Sequence, residues 1–508
     1  MPSRSQPAIY ARTRVANPTS TRSQSPPNSA PIDIGHVDDG IDRIGLKQLS
    51  DRYQRCNTQR LQKLKAGLDQ RGGQLIDVLP LLFHLNHPVL PGYVAADLPC
   101  GIRNYRPTRE AIKSARQLAK SFTLQREPEA TPAIKALYIM GSCGSIAQSN
   151  HRDIDIWVCV ADNDTARNDG LQKKCDQIST WASSLGLDIH FFIMNDAAFR
   201  NRERAAMQGE DCGSTQHYLL LDEFYRSGLL LAGCMPVWWL VPVRFEQEYD
   251  YFVGQLRQKR FIDDAETLDF GSPHTIPTSE FLSAGIWQLY KSLEAPHKAL
   301  MKLLLIESYA NDQQSLATLS LEFKQALHTG ELDDDQLDTY LQIYRRLETY
   351  LLARNENERL ELLRRCLYFK TDLRLSNNGG HHPIPTESAS HLRSQAARET
   401  MTTAAVDPRW RSARMANLAR GWGWTRPHIA TLDQRANWPV DAIRTEHKLL
   451  SGELIHSYRL LASLCGHEKL STDTVGASST STELSLIGRK LYATFERKTD
   501  KLLRINQG

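Results

Sequence analysis

The hydrophobic pattern changes along the chain, and this change restricts the folds that the sequence can adopt. Between residues 135 and 194, apolar residues form short strand-like runs around a single helical stretch. From Thr278 onward, apolar residues recur at i, i+3 and i+4 in almost every segment, which is the pattern of amphipathic helices. The sequence therefore predicts an α+β protein, with a small α/β unit followed by a large all-helical region.

Short apolar or alternating runs predict the strands of the α/β unit. The segment Asp153–Val160 (DIDIWVCV), for example, alternates polar and apolar residues before it becomes continuously apolar. We expect strands at Lys135–Met140, Asp153–Val160 and Leu187–Met194, a helix at Leu171–Leu185, and a sheet completed by Phe224–Leu231 and Val237–Val243. A preceding helix is expected to run from Leu46 to the Gly72-Gly73 pair.

Length and local composition divide the chain further. A single core stops growing at roughly 250–300 residues, so 508 residues predict two or three structural units. Residues 1–44 are rich in Ser, Pro and Arg and nearly free of aromatic residues, which predicts a disordered tail. The expected units are a helical segment at 45–130, the α/β core at 131–275, a helical domain at 276–372, a linker at 373–407 and a C-terminal helical segment at 408–508.

Composition excludes several classes of protein. Nine cysteines without a C-x-x-C pair predict reduced thiols, most of them buried, in a cytoplasmic protein without a secretory signal. The longest apolar stretch, Leu229–Val243, is shorter than the roughly 20 residues that span a bilayer and contains two prolines, so no membrane insertion is expected. The net charge of +4 neither demands nor excludes nucleic acid. The lack of a basic, aromatic-interleaved stretch outside the N-terminus argues against nucleic acid as a partner.

The segment Met140–Val158 contains the most specific chemistry. Side chains alternate faces in a strand, so Asp153 and Asp155 are expected to project together, roughly 7 Å apart. Two such carboxylates repel unless a cation lies between them, and their hard oxygen atoms suit Mg²⁺ or Mn²⁺. The alternative is an exposed strand edge without function.

A glycine and a serine precede these carboxylates, at the end of an apolar strand. Gly141 allows a phosphate to approach the backbone, and Ser142 adds amide and hydroxyl donors. A phosphate-binding turn beside a di-carboxylate strand is what metal-assisted transfer at a nucleotide phosphate requires. Asp188 adds a third carboxylate between apolar neighbours of the next predicted strand, where burial without a partner would be unfavourable. A metal ion or a buried arginine would account for it.

This order of motifs, G-S, then h-D-h-D-h, then h-[DE]-h, resembles the DNA polymerase β-like nucleotidyltransferase superfamily. Within it, the chain resembles the class I (enterobacterial-type) adenylate cyclases from about residue 60 onward. The segments that carry this likeness are 141–158, 209–228 (GEDCGSTQHYLLLDEFYRSG), 280–291 (EFLSAGIWQLYK), 87–94 (HPVLPGYV) and 432–440 (LDQRANWPV).

Two segments depart from the family pattern. The family segment usually begins E-Y-F-G, and this chain differs at the last three of these positions, which are Phe281, Leu282 and Ser283. The phosphate loop reads S-C-G-S in place of the more usual S-T-S-S. The resemblance covers the catalytic portion, and the family's long C-terminal regulatory region is not expected in this chain.

The resemblance implies an enzyme that converts ATP to 3′,5′-cyclic AMP and pyrophosphate. Asp153, Asp155 and Asp188 would be the catalytic residues and would hold two Mg²⁺ or Mn²⁺ ions. The phosphates of ATP would bind Gly141, Ser142, Ser145, Lys291 and Lys298, with Lys302 as a further candidate. A solvated basic face is the alternative for the lysines.

Several residues and functions stay open from the sequence. Glu210, Asp211 and His217 fit a loop or cap role as well as substrate contact, and His190 fits a core role as well as a place beside the metal ions. The same carboxylates also serve enzymes that transfer a nucleotide to RNA, a protein or a small molecule, and a third reading is a non-catalytic helical scaffold. The sequence identifies neither the selected base nor a regulatory partner.

Overall fold

The fold is described from a computed structural model. The structure describes residues 31–35, 40–96, 98, 100–124, 132–148, 153–162, 164–201, 216–264, 266–273, 276–312, 318–333, 335–376 and 406–466. The expectations for residues 1–30 and 36–39 of the N-terminal tail, for most of the 373–407 linker, for residues 467–508 and for Glu210 and Asp211 lie outside these residues.

A four-stranded mixed sheet forms the centre of the α/β unit. Its strands are β1 (Ile134–Met140), β2 (Asp153–Val160), β3 (Asp188–Asn195) and β4 (Leu229–Gly233), in the order β3-β2-β1-β4. Strand β1 pairs antiparallel with both β2 and β4, whereas β2 and β3 are parallel. This sheet and the helices around it confirm the α+β class.

Seven α-helices are described in the first half of the chain. They are α1 (Arg43–Ala66), α2 (Gln70–His84), α3 (Arg109–Leu118), α4 (Thr165–Ser184), α5 (Asp196–Arg200), α6 (His217–Ser227) and α7 (Tyr249–Gln258). The expectation that the first helix runs to Gly72-Gly73 is wrong. The helix ends at Ala66 with Gly67 as its C-cap, and Asp69 then caps a new helix by accepting a hydrogen bond from the Gly72 amide at 2.7 Å.

Both faces of the sheet are buried, because apolar side chains alternate between two cores. Ile154, Ile156 and Val158 of β2 pack with α2 and α4 on one face. Trp157 and Cys159 point to the opposite face, where they pack with α1, α6 and α7. Because alternate residues of a strand point to the same face, Asp155 lies on the same side of β2 as Trp157 and Cys159, at the end of this second face.

The expectation of a strand at Val237–Val243 is wrong. Residues Val237–Leu240 form a 3-10 helix, and Val243–Phe245 form a second one. Pro236 and Pro242 precede these two turns, and a proline lacks the amide that a ladder position needs. The apolar run is nevertheless buried, with the ring of Trp238 stacked on Tyr225 at 4.0 Å between centroids.

The second half of the described chain is helical, as predicted. Its helices are α8 (Thr278–Lys291), α9 (Pro296–Asn311), α10 (Leu319–Thr329), α11 (Thr339–Ala353), α12 (Asn357–Thr371), α13 (Trp410–Gly421), α14 (Arg426–Asp433) and α15 (Val440–Leu464). Helix α9 is buried along nearly its whole length and packs against α8, α11, α12 and α15. It is therefore the central helix of this region.

The sheet edge at β4 is closed by a side chain. The Asn57 amide group of α1 donates to the Leu230 carbonyl at 2.8 Å and accepts from the Leu230 amide at 2.9 Å. Both backbone groups that Leu230 turns away from β1 are thus satisfied, as buried backbone groups require.

Two expectations from composition can be compared with the structure. The eight cysteines in the described part of the chain are all unpaired, and six of them are buried. Among the described helices, none combines the length and the apolar character needed to cross a bilayer.

Candidate functional site

The predicted acidic residues meet at the starts of two neighbouring strands. Asp153 pairs in register with Asp188, and Asp155 pairs with His190, along the parallel β2–β3 ladder. Asp155 also pairs with Met140, the last residue of β1. Asp155 therefore lies beside the end of β1, where the following loop begins. The side chain of Asp153 is outside the described part of the structure.

Asp188 is exposed, with 60% of its side chain accessible. Its neighbours Leu187 and Ile189 are buried, so the predicted flanking core is confirmed while the expected burial of the carboxylate itself is wrong. A carboxylate oxygen of Asp188 lies 3.5 Å from Nε2 of His190, which is also exposed. Asp188 and His190 thus project from the same face of β3 into open space.

Asp155 is partly buried and faces positive charge. Burial raises the pKa of its carboxyl group, and the charges of Lys298 and His190 act in the opposite direction. A divalent cation would oppose the desolvation cost in the same way.

Two lysines of α9 lie near this carboxylate, and their partners differ. Lys302 Nζ donates to both carboxylate oxygens of Glu223, at 2.9 and 3.0 Å. Burial alone would raise the pKa of Glu223, but the charges of Lys302 and Arg226 lower it to about 2. Lys298 is exposed and has no hydrogen-bond or ion-pair partner within the described part of the chain. Its charge is thus available to a ligand, whereas the Lys302 charge is balanced.

Lys291 belongs to a different helix from the other two lysines. It is the last residue of α8, and α9 starts afresh at Pro296. Its ammonium group lies 5.1 Å from the ring centroid of Trp287 and 5.9 Å from that of Tyr290. The predicted contact between Lys291 and phosphate stays a prediction.

The loop after β1, residues 141–148 and here called the β1 loop, contains two glycines in left-handed conformations. Gly141 has φ +85°, and a Cβ atom added there would meet nothing within 4 Å. Gly144 has φ +73°, and a Cβ atom there would lie 2.8 Å from the Arg60 carbonyl oxygen of α1. The loop is therefore packed against α1 at Gly144 and open at Gly141.

The serines of the loop have different surroundings. Ser142 is partly exposed, and within the described residues the amides of Ser142 and Cys143 have no acceptor. Consecutive amides without acceptors are typical of anion-binding turns. Ser145 is 1% exposed, and its hydroxyl donates to the Ser142 carbonyl at 2.7 Å and accepts from the Ala147 amide at 3.2 Å. Ser145 thus shapes the loop from within, and its direct contact with phosphate stays a prediction.

Other segments of the sequence likeness have structural contacts. His217 stacks on Phe199 at 4.4 Å between ring centroids. Glu280 accepts a hydrogen bond from the Leu219 amide at 2.6 Å, near the start of α6. Glu223 is the site residue that the sequence did not indicate, because a glutamate on a mixed helix face usually marks a solvated surface.

The donor set fits a divalent cation by its chemistry. Carboxylate oxygens on adjacent strands are suitable ligands, and Asp188 carries no hydrogen bond from an arginine or lysine within the described residues. Among the described side chains, no group of three or more His, Cys, Asp or Glu could share one metal ion. Asp153, whose side chain is not described, would have to supply the third ligand.

Comparison with known proteins identifies two successive family domains. Residues 45–239 match the adenylate cyclase NT domain, and residues 276–506 match the second domain of class-I adenylate cyclase. The proteins named adenylate cyclase from Escherichia coli O157:H7 and Salmonella typhimurium LT2 are 35% and 34% identical to this chain over 464 residues. That from Proteus mirabilis is 34% identical over 468 residues.

Each alignment covers 91% of this chain and 50–51% of the relative. The chain thus spans about half the length of the curated relatives it matches. No solved structure matches the chain. The two family domains follow each other in order and together include the β1 loop, the acidic strands and the helical region. The chain therefore belongs to the class I adenylate cyclase family.

Proposed function

We propose that this chain is an adenylate cyclase that converts ATP to 3′,5′-cyclic AMP and pyrophosphate. The observation that carries the proposal is the meeting of four elements at one end of the sheet: Asp155, Asp188, the open end of the β1 loop, and Lys298. Lys298 has no ion-pair partner among the described residues. Carboxylates suit metal ions, and free amides with a lysine suit phosphates. Membership in the family supplies the nucleotide and the reaction type.

Each residue has a defined part in the proposed reaction. Asp153, Asp155 and Asp188 would hold Mg²⁺ or Mn²⁺, with two ions expected, and bound metal would supply charge stabilisation at the transferring phosphoryl group. Gly141, with the Ser142 and Cys143 amides, would bind the β- and γ-phosphates, together with Lys298. The sheet and loop would form a DNA polymerase β-like nucleotidyltransferase core.

The chemical step is an intramolecular displacement. The ribose 3′-oxygen forms a bond to the α-phosphorus of the same ATP, and the bond from that phosphorus to the β-bridging oxygen breaks. Pyrophosphate leaves with the electron pair of that bond. Asp188, which is exposed beside His190, would accept the proton of the 3′-hydroxyl.

Purified protein incubated with ATP and Mg²⁺ or Mn²⁺ tests this proposal, with nucleotide products separated by chromatography. We expect cyclic AMP and pyrophosphate in equal amounts, and loss of both in Asp155→Asn. Asp441→Asn, which changes a carboxylate with 94% of its side chain exposed, is the matched control and should retain activity. Transfer of AMP to an added acceptor without cyclic AMP would favour another nucleotidyltransferase activity, and no turnover with either ion would contradict the proposal.

A further inference from the structure

The second half of the β1 loop lies inside the helical region. Ile146 and Ala147 are fully buried, and they pack in the same hydrophobic core as α9, α11 and α12. The first half of the loop, by contrast, opens at Gly141 beside the carboxylates. One short loop thus connects the proposed nucleotide site to the core of the second family domain.

Three charged side chains of the helical region hold this buried half by its backbone. Asp338, the cap of α11, accepts a hydrogen bond from the Ile146 amide at 2.6 Å. Nε of Arg411, in α13, donates to the Ile146 carbonyl at 3.1 Å. Lys370, near the end of α12, donates to the Ala147 carbonyl at 3.0 Å. Side chains from three successive helices and their caps therefore form hydrogen bonds with the backbone of two adjacent loop residues.

Burial of the charged groups strengthens their hydrogen bonds to the loop. Asp338 is 1% exposed and Arg411 is 6% exposed. Water therefore solvates neither group well, and this burial raises the pKa of Asp338 and lowers the pKa of Arg411. A poorly solvated charge strengthens the hydrogen bonds that it makes, and removing one partner leaves the other unsatisfied. The loop backbone is consequently fixed in position with respect to α11, α12 and α13.

The same side chains also tie the helices to one another. Asp338 accepts from the Tyr340 and Leu341 amides at 3.0 and 3.1 Å, so one carboxylate caps α11 and holds the loop. Arg411 also donates to the Thr371 carbonyl at the end of α12, at 2.6 Å. A shift of these helices would therefore move the loop backbone as well.

We propose that Asp338, Lys370 and Arg411 are positioning residues for the triphosphate, because they hold the β1 loop so that its open half presents the Ser142 and Cys143 amides. This role presupposes the phosphate-binding function proposed above. It makes the second family domain part of the nucleotide site, although none of the three side chains is assigned a contact with ATP.

Isothermal titration of the whole chain with inorganic tripolyphosphate and Mg²⁺ tests the role, beside steady-state kinetics with ATP. Loss of a charged hydrogen bond to the loop should weaken tripolyphosphate binding about tenfold or more in Lys370→Gln and Arg411→Gln. The KM for ATP should rise by a similar factor, while Lys370→Arg should stay near the parent value. Restored binding in the conservative variant would show that the donor, rather than side-chain volume, is what matters.

Arg365→Gln is the matched control. Arg365 lies in the same helix as Lys370, but it donates to Glu446 of α15 at 2.6 Å, away from the loop. This variant should lower the midpoint of thermal unfolding without changing the affinity for tripolyphosphate.

Three results would overturn the positioning role. They are unchanged tripolyphosphate affinity in both glutamine variants, an equal loss in Arg365→Gln, or no binding by the parent. A parent that binds tripolyphosphate but makes no cyclic AMP would contradict the proposed activity alone, and the titrations would still decide the role of the three residues.

Discussion

Lys174 is a buried lysine without a carboxylate partner among the described residues, and this has a measurable consequence for stability. It lies in α4 with 1% of its surface exposed, and its ammonium group donates to the Gly92 carbonyl at 3.1 Å and contacts the Asn86 side-chain oxygen at 3.5 Å. Within the described residues it forms no ion pair. Burial lowers the pKa of Lys174 from 10.5 to about 8.

The shift sets both the sign and the size of the pH effect. Between the folded pKa of about 8 and the unfolded value of 10.5, the unfolded chain binds more protons, so the free energy of unfolding rises with pH. Because one pKa unit corresponds to about 1.36 kcal/mol, the charged lysine lowers the free energy of unfolding by about 3 kcal/mol below pH 8. The gain from this group between pH 7 and pH 9.5 should be about 2 kcal/mol.

Lys174→Met removes the charge and should therefore stabilise the protein at pH 7. We expect a gain of about 1–3 kcal/mol, reduced by the lost hydrogen bond to Gly92, and a gain that shrinks as the pH approaches 9.5. Denaturant unfolding at several pH values measures it. Lys173→Met, at the exposed neighbouring position, is the control and should show no such pH dependence. A destabilised Lys174→Met at pH 7, or a difference independent of pH, would refute the reasoning.

Two further predictions concern the site and the β1 loop. Lys298→Gln should raise the KM for ATP roughly tenfold or more without a change in the thermal midpoint, because it removes a cation that has no ion-pair partner among the described residues. The control is Lys448→Gln, which changes an exposed lysine of α15 and should leave the KM unchanged. An equal effect of the two variants on the KM would contradict the assignment. Gly144→Ala should lower the free energy of unfolding by about 1–3 kcal/mol, because φ is positive and the Arg60 carbonyl is too close. The helical Gly254→Ala, where a Cβ meets nothing, should raise it by about 0.5–1 kcal/mol in the same denaturation series.

Local pattern predicted the strands where polar and apolar residues alternate. The bounds of β2, Asp153–Val160, agree with the sequence prediction because the pleat places every second residue in the core. At Val237–Val243 the same reasoning failed, since a buried apolar run can also form 3-10 turns when prolines interrupt it.

The strand positions of the candidate acidic residues could be predicted, because these residues lie on strands with clear flanking cores, while their roles stay a prediction. The outer parts of the site could not, since they depend on contacts between distant segments. Glu223 meets Lys302 across 79 residues, and the Lys370 contact with the β1 loop spans 223 residues. Neither the helical periodicity nor the residue type indicates such a partner.

The Asn57 contact with β4 has a consequence for association between molecules. A strand with free backbone groups on its outer side can pair with a strand of another copy. At Leu230 a single side-chain amide occupies the donor and the acceptor that such a strand would need. Edge-to-edge assembly through β4 therefore requires α1 to detach first, and variants that loosen α1 are those in which aggregation should begin.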